Sequence, residues 1–212
     1  KTPVGAIRLL SDAVIEAAED PEAVQRFAGR MHTESERLAR LVQQIIELSR
    51  LQGDDPLDEP MPVDVDDILK RALDENSTDA SANGIALVRD GEEGLVLLGS
   101  REQVAVAIGN LVANAHRYAT TLNIQAHRAP RSITLTFDDD GPGIPEESRE
   151  DVFKPFYRLD EARNLNASGT GLGLSIVRDI ARSHGGDVTL GDSALGGLRA
   201  RGLRRRRRRR AG

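Results

Sequence analysis

The chain has 212 residues, of which 3% are aromatic and none is Trp or Cys. That composition excludes a disulfide framework, a zinc-thiolate site and a cysteine nucleophile, and no apolar run approaches the roughly 20 residues of a membrane span. The formal net charge of −5 averages two unlike parts: the last fourteen residues carry nine arginines and no acid, so residues 1–198 hold 20 basic and 34 acidic groups, a net of −14.

Apolar residues recur at steps of three and four at Val4, Ile7, Leu10, Val14 and Ala18, then at Phe27, Met31, Leu38, Leu41 or Val42, Ile45 and Leu48. That is the period of amphipathic helices, and Glu19-Asp20-Pro21-Glu22 separates the two series. The pattern predicts an antiparallel helical hairpin over 2–18 and 21–51. Two helices leave their apolar stripes uncovered, and pairing two hairpins into a four-helix bundle buries them, so a homodimer is expected. Gln52 to Pro60 is polar and rich in turn formers. It reads as a linker, 53–60, between a first unit, 1–52, and a second, 61–203.

In the second unit a helix is predicted near 65–80, strands near 85–89 and 95–98, and a long helix near 101–118. The alternating runs Leu122–His127 and Ile133–Phe137 flank Ala129-Pro130-Arg131 and read as a hairpin. A helix near 171–184 follows a glycine-rich loop, and strands near 187–190 and 198–203 complete the series. The fold class expected is α+β, a sandwich with one sheet covered by helices on one face. Arg204 to Arg210 are seven consecutive arginines. Their mutual repulsion predicts a disordered tail over 204–212. A nucleic-acid or anionic-membrane role is disfavoured, because no aromatic accompanies the run and no nucleic-acid fold precedes it. It is expected to be a frame artefact or a truncated gene end.

Three segments carry the chemistry. On the 101–118 helix, Asn110, Asn114 and Arg117 stand at i, i+4 and i+7 and so share a face, beside an apolar stripe of Val104, Ile108, Leu111 and Ala115. Two amides and a guanidinium are costly to bury unpartnered. They suit a polyphosphate and Mg²⁺, which takes oxygen ligands and keeps several waters; a solvated polar helix face is the alternative. The second segment, Asp138-Asp139-Asp140-Gly141-Pro142-Gly143, follows a strand. Its glycines permit close backbone approach, and a carboxylate there can accept from an exocyclic amine such as that of adenine. An acidic turn is the plainer reading, and a Ca²⁺ loop is set aside because the EF-hand spacing is missing. The third is Gly169-Thr170-Gly171-Leu172-Gly173-Leu174, opening a helix whose free N–H groups suit phosphate. No strand runs directly into it and no Gly-Lys-Ser/Thr is present, which excludes dinucleotide-fold and Walker A readings.

In order and spacing these segments resemble the bacterial two-component sensor histidine kinases, whose ATP-binding domain has the GHKL-type fold. Asn110 to Tyr118 resembles the family's N box, Asp139 to Ile144 its G1 box, Val152 to Arg158 its F box and Gly169 to Leu174 its G2 box. Residues 1–51 resemble its dimerisation and phosphoacceptor hairpin. The resemblance covers 1–197. It implies Asn114 as the Mg²⁺ ligand, Asn110 and Arg117 near the phosphates, Tyr118 along the nucleotide and Asp139 on the adenine amine. Gly141 and Gly143 would shape that pocket. Gly169, Gly171, Leu172 and Gly173 would form the phosphate loop, and Tyr157 to Ser168 the mobile lid. Arg158 and Arg163 are candidate partners of the γ-phosphate, while Phe153 and Phe156 read as packing at the lid base. The cofactors implied are ATP and Mg²⁺. The partners implied are a second copy of the chain, a response-regulator receiver domain and an upstream sensory segment, which places the chain as the cytoplasmic portion of a membrane-anchored bacterial protein.

The family's acceptor motif reads His-Glu-Leu-Lys-Thr-Pro, and this sequence begins Lys1-Thr2-Pro3. The acceptor position therefore falls three residues before Lys1, and none of His32, His116, His127 or His184 has its context. The expectation is a fragment of a longer kinase that lacks its own acceptor. Thr2 holds the position that assists dephosphorylation of the regulator, with a helix N-cap as the equal alternative. Two other readings stay open: a degenerate dimeric scaffold, and a GHKL-type ATPase or Ser/Thr kinase outside two-component signalling.

Overall fold

The computed structural model describes residues 3–52, 60–83, 86–129, 132–159 and 169–205. The chain divides into two compact units, Lys1–Ser49 and Arg50–Gly212. In the first, α1 (Pro3–Glu16) and α2 (Pro21–Gln52) are joined by a short turn. Asp20 stops the approach and starts α2: its Oδ1 accepts from the N–H of Glu22 at 3.1 Å and Ala23 at 3.0 Å, and Pro21 follows at the first helical position, where a missing N–H costs nothing. Among the described residues of this unit only Ala23 is a buried hydrophobic, and Val4, Leu9, Ile15, Val42, Ile45 and Ile46 stay exposed. His32 is a surface residue beside Glu36, as expected.

The second unit runs β1 (Met61–Asp64), α3 (Val65–Asn83), β2 (Ala86–Gly91), β3 (Val96–Gly99), α4 (Arg101–Tyr118), β4 (Thr121–Ala129) and β5 (Ser132–Asp139). Two short 3-10 turns, Glu146–Ser148 and Asp151–Phe153, precede α5 (Gly173–Ser183), β6 (Gly186–Asp192) and β7 (Leu198–Arg205). One sheet has the order β2-β4-β5-β7-β6; β2 pairs with β4 in parallel, and the other pairs are antiparallel. Hydrophobic positions alternate along it. Leu122, Ile124, Ala126, Phe137 and Ala200 face the helices and pack with Ile68 and Leu69 of α3 and Val104, Ile108, Val112 and Ala115 of α4. Among the described residues no helix is long and apolar enough to cross a membrane.

Three expectations change. The predicted single sheet is two, because β1 and β3 form a separate antiparallel pair at its end. The residues of β1, Met-Pro-Val-Asp, are too few for a period, and Pro62 lacks the N–H of a ladder strand. On α4 the fully buried stripe uses Val112, while Leu111 is only partly buried and sits between the two hydrophobic clusters. Finally β7 continues to Arg205, two residues into the arginine run, since Arg204 and Arg205 still pair with Ile133 and Ser132 of β5. Residues 206–212, most of the predicted linker and Pro130-Arg131 lie outside the described residues.

Candidate functional site

Helix α4 begins with a cap and ends at the site. Ser100 accepts from the Gln103 N–H at 3.3 Å, a capping arrangement, and Ser100 N–H donates to His184 Nε2 at 3.2 Å. His184 Nδ1 lies 2.8 Å from the Ile180 carbonyl, so this buried histidine ties the end of α5 to the start of α4.

The polar face of α4 meets the start of α5. Asn110 Nδ2 donates to the Val106 carbonyl at 2.9 Å, which orients its amide and turns Oδ1 outward. A Cβ placed on Gly173 would stand 3.1 Å from that Oδ1 and 3.8 Å from Asn114 Nδ2. A Cβ on Gly169 would lie 3.4 Å from an Arg117 guanidinium nitrogen and 3.8 Å from the Tyr118 hydroxyl. Arg117 also stacks over the Tyr118 ring at 5.8 Å. The glycine loop and the α4 face predicted from separate stretches of sequence are therefore one surface. Helix α5 opens at Leu172 with no side-chain cap, which leaves its first N–H groups for another acceptor. The Leu172 side chain is fully buried in the core, and its own N–H is held by the Thr170 hydroxyl at 3.4 Å.

Each of the three aspartates has a different partner. Asp138 faces away from the helices and pairs with Arg199 through both oxygens, at 2.8 and 3.1 Å. Asp140 closes the α4–β4 turn. The Thr120 hydroxyl, then the N–H groups of Thr121 and Thr120, hold its carboxyl well below the usual carboxylate range. Asp139 is half-buried on the helix side. Its Oδ1 accepts from the N–H of Gly141 and of Leu198, both at 2.9 Å, and among the described residues Oδ2 takes no hydrogen bond. A carboxylate fixed by one oxygen, with the other open, is an acceptor aimed by the backbone. The pocket around it is built by close approach. A Cβ on Gly141 would stand 2.9 Å from the Tyr118 carbonyl, one on Gly197 would collide with the Asp139 carboxylate, and Gly143 takes φ 72° beside Gly197.

The two ends of the predicted lid meet. Phe156 donates its N–H to the Gly171 carbonyl at 2.9 Å, and both residues have left-handed backbones, φ 65° and 78°. Phe153 packs with Val177 and Val188, as its packing role predicts. Phe156 does not: it is 58% exposed, because the left-handed turn that brings its N–H to Gly171 leaves its ring outside the core. Arg158 is half-buried just beyond this tie, and Thr2 and Arg163 lie outside the described residues. Among the described residues no group of three or more His, Asp or Glu could hold a metal alone, so a metal here would need ligands from the nucleotide besides Asn114.

Sequence reasoning missed Gly197, Thr120 and Arg178. Arg178 pairs with Glu150 and Asp187 and lies 4.3 Å over the Phe153 ring, anchoring the lid base to α5; those hydrogen bonds raise its already high pKa. The Gly196-Gly197 pair was visible in the sequence, but its contact with Asp139 spans nearly sixty residues.

Residues 99–204 match the family model of the histidine kinase-, DNA gyrase B- and HSP90-like ATPases, and residues 1–54 match the His Kinase A (phospho-acceptor) domain. The sensor-like histidine kinase SenX3 of Mycolicibacterium smegmatis is 40% identical over 193 residues, 90% of this chain and 50% of that protein. The Acinetobacter baumannii histidine kinase AdeS has the same fold, with a TM-score of 0.80 at 20% identity over 98% of this chain and 96% of that one. The histidine kinase ThkA, solved in complex with the response regulator protein TrrA, has a TM-score of 0.77 at 20% identity over 97% of this chain and 59% of that one. The chain spans about half the length of the curated relatives it matches. With a phospho-acceptor-type helical unit, an ATPase-type α/β unit and the converged nucleotide-box residues in one sequence, the chain belongs to the two-component sensor histidine kinases.

Proposed function

We propose that the chain binds Mg·ATP in the cleft between α4, the start of α5 and the Asp139 loop, and transfers the γ-phosphate to a histidine on a helical hairpin of its dimer. The phosphoryl group then passes to an aspartate of a response regulator, the kind of partner found with ThkA. ATP supplies the phosphoryl group, and the protein's part is positioning and charge neutralisation. The observation that carries this reading is the convergence on one surface of Asn110 and Asn114, the uncapped α5 start with Gly173, and Arg117 with Gly169. Asn114 is the protein ligand of Mg²⁺, and Asn110 and Arg117 attend the phosphates. Tyr118 lies along the nucleotide, and the open Oδ2 of Asp139 accepts from the adenine amine. Arg158 and Arg163 reach the γ-phosphate from the lid, and Thr2 serves the reverse, dephosphorylating reaction. The exposed apolar residues of α1 and α2 form the dimer interface. On the same reading the chain is the cytoplasmic part of a membrane-anchored receptor.

The experiment is to extend the chain with His-Glu-Leu before Lys1, completing the acceptor motif, and to follow radiolabel from γ-labelled ATP. Acid-labile, base-stable label on the added histidine is expected. Nucleotide binding without label would favour a degenerate scaffold, and label on Ser or Thr would favour a kinase outside two-component signalling.

A further inference from the structure

The face of the five-stranded sheet away from the helices carries a polar groove. The groove, of about 280 Å³, is lined by Gln125, His127, Thr134, Thr136, Arg199 and Arg201. In a body whose residues 1–198 carry a net charge of −14, this patch is basic. Among the described residues no acid pairs with the Arg201 guanidinium. Arg199 spends Nε and Nη2 on Asp138, and its Nη1 has no partner among the described residues. The floor is polar too. Thr134 and Thr136 both line the groove, and their hydroxyls open onto it with no hydrogen-bond partner among the described residues. Two open hydroxyls beside free guanidinium nitrogens are donors that a single anion can use together.

The chemistry of that acceptor follows from the donors. Arg199 and Arg201 occupy one face of β7, about 7 Å apart along the strand. Guanidinium groups match phosphate and carboxylate oxygens, but a carboxylate offers only about four lone-pair sites. Two guanidinium groups and two hydroxyls exceed that, and a phosphate with three terminal oxygens uses them. The volume suits a phosphate ester or a diphosphate. We propose that this groove is a second anion site, on the opposite side of the sheet from the nucleotide cleft, whose ligand is a small phosphorylated compound held by Arg199, Arg201 and the hydroxyls of Thr134 and Thr136.

The two sites are back to back. Asp138, which holds Arg199, precedes Asp139 on β5, and the two side chains leave opposite faces of the strand. A ligand drawing on Arg199 therefore acts on the segment that aims Asp139.

The test is equilibrium dialysis of the full chain against labelled pyrophosphate, with ADP at saturating concentration to occupy the nucleotide cleft. About one equivalent bound per chain is expected. Arg201→Gln and Thr136→Val, which leave the cleft residues untouched, should each weaken binding, the arginine change by about tenfold or more, as befits loss of a charge-assisted contact. ADP affinity should stay at the parent value in both. Absence of pyrophosphate binding overturns the proposal. So does binding that both variants retain, which would assign the anion to the cleft or to the arginine run. An oligonucleotide that binds and is not displaced by pyrophosphate would make the face a nucleic-acid surface instead, and would equally refute it.

Discussion

Replacing Asp139 with Asn removes one charge and exchanges one oxygen for an amide nitrogen, in a side chain of the same size. The parent Oδ1 receives two backbone N–H groups, from Gly141 and Leu198 at 2.9 Å each. Asn can keep both only by turning its own oxygen inward. Hydrogen bonds to a charged acceptor are roughly twice as strong as neutral ones, so the loop and the start of β7 lose about 1 kcal/mol of support. For a chain of this size that lowers the melting temperature by about 3 °C. The atom left facing the nucleotide is then an –NH₂ group opposite the adenine amine, donor against donor. Loss of the charge-assisted bond and the unpaired donors together cost about 3 kcal/mol, or about 150-fold in affinity. The same –NH₂ group can donate to a 6-oxo purine, so the preference for ATP over inosine triphosphate should fall further than ATP affinity alone implies. Titration calorimetry with both nucleotides, beside a melting curve, separates binding from folding. An Asp139→Asn chain that keeps ATP affinity within about threefold of the parent would refute the assignment of Oδ2 to the adenine amine.

Asn114→Asp places a negative charge beside the triphosphate, and should weaken Mg·ATP by about tenfold; equal loss with and without Mg²⁺ would remove Asn114 from the metal shell. Gly171→Ala puts a Cβ 2.8 Å from the Phe156 carbonyl carbon on a backbone at φ 78°, a loss of about 2 kcal/mol or more. It should part the Phe156–Gly171 tie, read as faster proteolysis between them; unchanged cleavage and melting would show that the tie does not close the lid. The Asp140 carboxyl titrates in the folded chain below its ordinary value of 3.8, so its stabilising contribution is complete above that pH and is lost as pH falls toward the folded value. Urea midpoints of the parent should therefore drop from about pH 5 to about pH 2.5, and Asp140→Asn should flatten that drop. An identical slope in the variant would show that the Thr120 and Thr121 bonds are not coupled to its ionisation.

The local periods and the four motif segments were legible in the residues themselves. Steps of three and four placed α1, α2 and α4 within about two residues, because helix burial is periodic along the chain. The glycines at 169, 171 and 173 mark a loop that opens a helix, which is where α5 begins. What approaches them was a tertiary decision. The Asn110 amide against Gly173, Gly197 against Asp139 and Arg178 over Phe153 join residues 25 to 63 positions apart, and no local period records such distances. The same holds for β1, whose four residues become a strand only because β3 lies alongside. The run of three aspartates shows the division most clearly. In sequence they are chemically identical; the alternation of β5 separates Asp138 from Asp139, and Asp140, just past the strand end, is taken by the α4–β4 turn. Asp139 is aimed at the cleft, Asp138 is paired with Arg199 behind it, and Asp140 is committed to the Thr120 turn.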